Sequence, residues 1–216
     1  MKIVVQCSGG VESTTLIAKA LVENGRENIH LIAFDDGSLS AHFKDRFAIK
    51  QVVNYFQLQE QFFLCNIPQV DRLEYTPDKD FPDVGFIPGY KMLVNTASLA
   101  YAQRLKAERV WIGNMKDNVY QDESNGFLCE LENLYTKTYY PTPLIFFDAP
   151  FSFMSKGEVL KVARDLEILP LIYDTVSCGN ERVPGGYNCG MCDWCLKRRA
   201  AFQDAGIEDK TVYTLL

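Results

Sequence analysis

The stretch QCSGGVESTT, residues 6–15, decides the fold, because it joins an apolar run at residues 3–5 to a helical pattern through two glycines. Apolar residues recur at helical spacing over residues 15–24, Gly25 ends the pattern, and a second apolar run follows at residues 29–34. This order predicts a β-α-β unit. The free amides at the start of such a helix bind anions, and glycines let the backbone approach a phosphate closely. The sequence therefore predicts a phosphate-binding loop formed by Ser8, Gly9, Gly10, Ser13 and Thr14.

Glu12 lies in the bend of this loop. Neither a G-x-x-x-x-G-K-[ST] loop nor a G-x-G-x-x-G fingerprint occurs here, so the two commonest nucleotide-binding motifs are excluded. A carboxylate beside bound phosphates would repel them unless a divalent cation lay between, which indicates that Glu12 is a magnesium ligand. The same residues also fit an ordinary strand-to-helix turn, with a serine cap and Glu12 interacting with the helix dipole.

The rest of the chain continues the alternation of strands and helices. Further strand-like runs occur at residues 62–64, 109–112 and 143–147, and helical patterns at residues 43–55, 92–105, 128–135, 155–166 and 196–205. Ser155 and Glu158 have capping-box spacing. Residues 66–90 are rich in proline and glycine, which predicts a long functional loop. We expect a parallel, doubly wound α/β sheet of five strands in residues 1–176, with an extension at residues 177–216 packed on it.

Composition narrows the classes of function. The 216 residues are 47% hydrophobic and 23% charged, with a net charge of -6, and no apolar run reaches the ~20 residues of a membrane span. The acidic balance gives no broad attraction to a phosphate backbone. We therefore expect a cytoplasmic protein that acts on small molecules, without a membrane or a stable nucleic-acid complex. Only two histidines are present, so a Ser-His-Asp hydrolase is not expected.

Four of the seven cysteines form C-x10-C-x2-C-x2-C near the end of the chain: Cys178, Cys189, Cys192 and Cys195. Four thiolates at this spacing predict a closed, structural zinc site, whose negative charge Lys197, Arg198 and Arg199 would offset. An iron–sulfur cluster is the alternative, although Arg199 stands where the bacterial ferredoxin run has its fourth cysteine. The scattered Cys7, Cys65 and Cys129 are expected to be buried fillers.

The loop and the cysteine set together resemble a known family. The Ser-Gly-Gly-x-acid-Ser loop after the first strand is similar to the pyrophosphate loop of the ATP pyrophosphatase (adenine nucleotide α-hydrolase-like) superfamily. With the four cysteines about 170 residues later, the chain resembles the 7-cyano-7-deazaguanine synthase family of the queuosine pathway over nearly its whole length. Further similar segments are FIPGYK (86–91), IGN (112–114), YQDE (120–123), MSKGEV (154–159) and TVSC (175–178).

The resemblance implies an AMP-forming C–N ligase that converts 7-carboxy-7-deazaguanine and ammonia to the nitrile with ATP and Mg²⁺. It implies a structural zinc ion and a homodimer. Three catalytic residues are implied: Glu12, Lys156 and Asp122. The resemblance adds Phe34 and Gly113 to the predicted nucleotide-binding residues. It implies a substrate loop formed by Pro88, Gly89, Tyr90 and Lys91. From the residues alone, Lys156 also fits a solvated surface lysine and Asp122 an ordinary loop aspartate.

Departures from the family pattern keep alternatives open. The family usually has Asp where this chain has Glu12. Tyr90 and Lys91 replace the family's Arg-Asn, and Gln121 and Glu123 replace its Pro and Cys. One alternative is a divergent relative that stops at the amide or couples the activated acid to another amine. Others are a tRNA thiolase of the same superfamily and a non-enzymatic zinc-ribbon module.

Overall fold

The computed structural model describes residues 1–35, 39–67, 89–116, 121–138, 144–179 and 187–214, with the side chains of residues 39–46 left out of the description. Its strands are β1 (Ile3–Gln6), β2 (Ile29–Asp35), β3 (Phe62–Asn66), β4 (Arg109–Trp111) and β5 (Phe146–Asp148). Its helices are α1 (Val11–Asn24), α2 (Leu39–Tyr55), α3 (Tyr90–Leu105), α4 (Asn125–Thr136), α5 (Lys156–Asp165), α6 (Leu169–Tyr173) and α7 (Asp193–Ala205).

The five strands form one parallel sheet in the order β3-β2-β1-β4-β5, which confirms the predicted doubly wound α/β fold. The central strand β1 is apolar because both of its faces are covered. Ile3 and Val5 belong to the core on one face, and Val4 belongs to the core on the other. Parallel sheets buried on both faces require such continuous apolar runs.

Helices cover the two faces unequally. Side chains of α1, α2, α5, α6 and α7 form the core of one face, and α3 and α4 form the core of the other. The chain therefore crosses from one face of the sheet to the other between β3 and β4. From β1 the chain proceeds outward to β2 and β3, and from β4 it proceeds the opposite way to β5, so the switch point of the sheet lies between β1 and β4. In open α/β sheets, ligands bind at the carboxyl ends of the strands at such a switch point.

The C-terminal helix shares the first of these cores. Ala201, Phe202 and Ala205 of α7 are buried with residues of β1 and α1. Gly157 of α5 permits this close packing, since a Cβ there would lie 3.2 Å from the carbonyl oxygen of Ala201. The predicted capping box of α5 is present: Ser155 Oγ accepts from the Glu158 amide, and the Glu158 side chain accepts from the Ser155 amide.

One local expectation was wrong, and one short helix was missed. Of the scattered cysteines expected to be buried, only Cys7 is; Cys65 is partly exposed on the edge strand β3, and Cys129 is exposed on α4. Helix α6 was not expected, because its five residues are too few to show a period. In the part of the chain that the structure describes, no helix combines the length and apolar character needed to cross a membrane.

Candidate active site and four-cysteine site

The loop of residues 7–10 leaves the carboxyl end of β1 and turns directly into α1. Gly10 is the N-cap of α1, and no side chain caps the first turn. Of the ordinary turn considered as an alternative, the serine cap is therefore not found, whereas Glu12 does lie in the first turn of α1, where a carboxylate interacts with the helix dipole. Ser13 Oγ instead bonds back to the loop, accepting from the Ser8 amide at 3.2 Å and lying 3.1 Å from Ser8 Oγ.

The predicted hydroxyl donors differ in exposure. Ser8 is exposed, whereas Ser13 and Thr14 are buried. Thr14 Oγ1 is fully buried and has no hydrogen-bond partner among the described residues. Ser8 therefore carries the solvent-accessible hydroxyl group of this set.

The two loop positions, Gly9 and Gly10, require or allow glycine for different structural reasons. Gly9 has φ +75°, and a Cβ there would lie 2.7 Å from Cβ of Ala48 and 2.8 Å from the backbone nitrogen of Ile49. Gly9 therefore allows α2 to approach the loop. At Gly10, a Cβ would lie 3.4 Å from Glu12 Oε2, so the carboxylate leans over the bare backbone of the loop.

Glu12 and Lys156 form an ion pair, with Nζ 2.6 Å from Oε1. Lys156 is the first residue of α5, and the two side chains are 19% and 17% exposed. Burial raises the pKa of Glu12, but the charge and hydrogen bond of Lys156 outweigh it and leave that pKa below its ordinary value. Lys156 is thus a buried partner of the loop carboxylate, not the solvated surface lysine considered as an alternative.

The segment after β4 contacts the start of α1. A Cβ at Gly113 would lie 3.3 Å from Glu12 Cβ and 3.5 Å from the Ser13 amide nitrogen, so glycine permits the contact. The next residue, Asn114, donates from Nδ2 to the carbonyl oxygen of Glu123 at 2.7 Å. Residues 113 and 114 therefore connect the β1 loop to the turn at residues 121–123.

The predicted substrate residues meet this turn at the start of α3. Lys91 Nζ lies 2.7 Å from Glu123 Oε1, whose side chain is only 7% exposed. Gly89 is the left-handed N-cap of α3, Tyr90 is its first residue, and Asp122 is half-buried in the turn. Pro88 lies outside the described residues. Phe34, predicted at the nucleotide site, packs at the end of β2 against the core under α3 and α4.

The four predicted cysteine ligands converge. All four sulfur atoms lie within 4.8 Å of one another, and the Cys189–Cys195 and Cys178–Cys192 pairs are each 3.9 Å apart. Sulfurs bound to one zinc ion at ~2.3 Å in a tetrahedron are separated by about 3.8 Å. The donor set therefore fits one tetrahedral metal ion.

Backbone amides stabilise negative charge on one ligand of this set, Cys189. Burial raises the pKa of Cys189, but the amides of Met191 and Cys192, 3.4 and 3.3 Å from its sulfur, help to lower it to about 6. The predicted counter-charges are spread around the site: Lys197 lies over the Trp194 ring and Arg199 over the Tyr213 ring. Arg198 is fully buried.

Sequence reasoning missed the roles of Glu123, Asn114 and Arg198 as organising residues. Glu123 and Asn114 carry no pattern of their own, since each acts through a contact distant in sequence. Arg198 follows Cys195 by three residues on α7 and therefore shares its face, but the helix predicted at residues 196–205 begins after Cys195 and did not show this.

Comparison with known proteins adds independent findings. A profile of the family described as queuosine biosynthesis protein QueC matches residues 2–206. A 7-cyano-7-deazaguanine synthase of Acetivibrio thermocellus is 31% identical over 224 residues, covering 97% of this chain and 96% of that protein. One of Desulfitobacterium hafniense is 28% identical over 228 residues, covering 98% and 93%.

Among solved structures, the U34-tRNA thiolase NcsA from Methanococcus maripaludis, determined with its 4Fe-4S cluster, superposes with a TM-score of 0.48 and 17% identity. The superposition covers 93% of this chain and 64% of the thiolase chain.

Proposed function

This chain belongs to the queuosine biosynthesis protein QueC family, and from that membership we propose that it converts 7-carboxy-7-deazaguanine and ammonia to 7-cyano-7-deazaguanine with ATP. The observation that supports a nucleotide site in this chain is the uncapped start of α1 beside the Glu12–Lys156 pair at the switch point of the sheet. A helix start with open amides, a lysine and a carboxylate suits a polyphosphate accompanied by a cation.

The first chemical step activates the carboxylate. A carboxylate is a poor electrophile because its leaving group is oxide, so its oxygen attacks the α-phosphorus of ATP and displaces pyrophosphate. Ammonia then attacks the carbonyl carbon of the acyl-adenylate, AMP leaves, and the amide forms with loss of a proton. In the second round, the amide oxygen attacks a second α-phosphorus and displaces pyrophosphate. Loss of AMP and protons then leaves the nitrile.

The loop residues act on the leaving pyrophosphate. The amides of Gly9 and Gly10 and the Ser8 hydroxyl donate hydrogen bonds to its oxygens, where negative charge grows. Lys156 adds a fixed positive charge next to the same loop. Magnesium, held through Glu12 when bound, would neutralise further charge on the pyrophosphate. The Glu12 carboxylate suits this task because it lies over Gly10 and stays ionised.

The acid to be activated would bind between the loop and the start of α3. Gly89, Tyr90 and Lys91 would contact it, together with Asp122 in the adjoining turn. Glu123 fixes the Lys91 ammonium from one side, which leaves the exposed side of the same group for a carboxylate. Residues 113 and 114 would hold this half of the site at a constant distance from the nucleotide half.

The four cysteines would hold zinc in a structural role, because all four tetrahedral positions are filled by protein ligands. A homodimer, a cytoplasmic location and free ammonia as the amine donor complete the proposal. Light scattering on the purified chain tests the dimer.

The proposed activity is tested by mass spectrometry after incubation with ATP, Mg²⁺, ammonium and 7-carboxy-7-deazaguanine. The expected products are the nitrile, AMP and pyrophosphate, with two AMP molecules formed for each nitrile. Accumulation of the amide alone would identify the divergent relative considered above. AMP formation only with a different acceptor, or no AMP at all, would overturn the proposal.

A further inference from the structure

Arg198 is fully buried, and each of its three guanidinium nitrogens donates a hydrogen bond. It donates to four oxygens: from Nε to Thr211 Oγ1 at 3.0 Å, from Nη1 to Thr175 Oγ1 at 2.8 Å and Ser177 Oγ at 3.1 Å, and from Nη2 to the Ile172 carbonyl oxygen at 2.6 Å. Three of these four acceptors lie in residues 172–177, which comprise the end of α6 and the residues that lead from it to the first cysteine ligand. This segment is called the connecting segment below.

The connecting segment is held from a second side by Asn188, which precedes the second cysteine ligand. Asn188 Nδ2 donates to the Thr175 carbonyl oxygen at 3.1 Å, and its Oδ1 accepts from the Ser177 amide at 2.8 Å. The two residues that position the segment, Asn188 and Arg198, are thus each attached to the four-cysteine site, one in its loop and one on its helix.

The other side of the connecting segment contacts the loop after β1. The Val176 amide donates to the Gly9 carbonyl oxygen at 3.3 Å, and the Val176 carbonyl oxygen lies 3.8 Å from the position that a Cβ on Gly10 would take. A contiguous path therefore runs along the chain from Cys189 and Cys195 to Asn188 and Arg198, and by hydrogen bonds from these two residues to the connecting segment and from that segment to the loop.

The chemistry of Arg198 is unusual for a residue that only fills space. Its four acceptors are neutral oxygens, although a buried charge is unfavourable without a charged partner. Burial lowers its pKa, and the negative groups that oppose this at longer range include Asp209, Glu12 and Cys195.

We propose that Arg198 is a positioning residue that couples occupancy of the four-cysteine site to the geometry of the Gly9–Gly10 loop. Metal in the four cysteines fixes the start of α7 and the end of the connecting segment relative to each other. Arg198 then holds the segment so that Val176 fixes Gly9. The proposal rests on the proposed function only in assigning the loop to the nucleotide; the coupling itself concerns the ligand-free protein.

The test compares Arg198→Met and Arg198→Lys with Arg164→Met. Arg164 is the matched control, because it is an exposed arginine on α5 that, among the described residues, pairs only with its neighbour Asp165. Amide hydrogen exchange of the metal-loaded, nucleotide-free proteins should be about 10-fold faster at residues 9–13 in Arg198→Met and unchanged in Arg164→Met. Arg198→Lys keeps the charge but loses the fork of donors, so it should lie between them.

The coupling is tested by removing the metal with a chelator. In the wild type, metal loss should raise exchange at residues 9–13 as strongly as Arg198→Met does, and in Arg198→Met it should add little, because the connection is already broken. Additive effects, or unchanged exchange at residues 9–13 in a folded Arg198→Met protein, would overturn the proposal. So would faster exchange throughout β1, which would indicate general unfolding instead of coupling.

If Arg198→Met does not fold, the exchange at residues 9–13 is compared with and without metal in Arg198→Lys and Asn188→Ala instead. In the active enzyme, these variants should raise the KM for ATP about 10-fold with little change in kcat. A protein that makes no nitrile but shows the exchange pattern would contradict the proposed function alone. An active protein without the pattern would contradict the coupling alone.

Discussion

Glu12 in the first turn of α1 and Lys156 in the first turn of α5 lie 2.6 Å apart, although they are distant in sequence. The pair joins the loop that turns into α1 to the helix that follows β5. Since both side chains are mostly buried, their contact is screened less than a surface ion pair would be. Several properties of the site should depend on this contact.

Removal of the loop carboxylate should abolish activity without unfolding the chain. Glu12→Ala should lower kcat by at least about 100-fold, because the charge that grows on pyrophosphate loses the cation held by Glu12. AMP release and circular dichroism measure the two effects. Glu23→Ala, on the exposed side of the same helix, is the control and should keep normal turnover. Unchanged AMP production in Glu12→Ala would refute the metal role.

The pH dependence should follow Lys156. In the wild type, the depressed pKa of Glu12 contributes stability that is present above its ordinary value of 4.5 and lost as pH falls through the lower folded value. Lys156→Met removes the charge and hydrogen bond that lower the pKa of Glu12, whereas burial still raises it. The pKa of Glu12 should therefore rise above 4.5. The acid limb of the kcat/KM profile should therefore move to higher pH. An acid limb at the wild-type position would show that Lys156 does not control Glu12.

The Lys91–Glu123 pair should affect the acid substrate and not the nucleotide. Glu123→Gln removes the charge that orients the Lys91 ammonium, so the KM for 7-carboxy-7-deazaguanine should rise about 10-fold. The KM for ATP should change little. Glu130→Gln, at an exposed position of α4, supplies a control of equal charge change. Equal increases in the KM for the acid and in the KM for ATP would contradict the proposal that Lys91 binds the acid substrate and not the nucleotide.

The frame of the fold could be predicted because its signals are local. Apolar runs, the helical period of α1 and the glycine at residue 25 lie within a few residues of what they determine. The capping box at Ser155 is local for the same reason. The bounds of β5 were predicted less accurately, at residues 143–147, whereas the strand is Phe146–Asp148. Its three residues are too few to fix a boundary from the sequence pattern.

The site could be predicted only as a set of residue types. The family resemblance implied a role for Glu12 and Lys156 in the same reaction, but their direct contact depends on how α5 packs against α1. Gly9 was expected to make room for a phosphate, whereas the position of its missing Cβ faces α2. Such reasons arise from packing between distant segments, which no local pattern records.

Metal content should depend on four cysteines and on no others. Serine at Cys178, Cys189, Cys192 or Cys195 should lower bound zinc from about one ion per chain and lower the Tm by on the order of 10 °C. Cys129→Ser, at an exposed position on α4, is the control and should bind zinc normally. Elemental analysis measures the metal. Iron with inorganic sulfide in the anaerobically purified protein would instead support the iron–sulfur alternative.

Gly9 and Gly126 offer a contrast between a required glycine and an ordinary one. Gly9→Ala should lower the free energy of unfolding by about 2 kcal/mol or more, because φ is +75° and the new methyl group would overlap Ala48 and the α2 backbone. Gly126, in the first turn of α4, has nothing within 4 Å of the position of a Cβ, so Gly126→Ala should be neutral or stabilise the protein by up to about 1 kcal/mol. Urea unfolding at constant m-value measures both changes. Because relief of the overlap requires the loop to move away from α2, Gly9→Ala should also weaken ATP binding, and a variant with wild-type stability and affinity would show that α2 does not fix the loop.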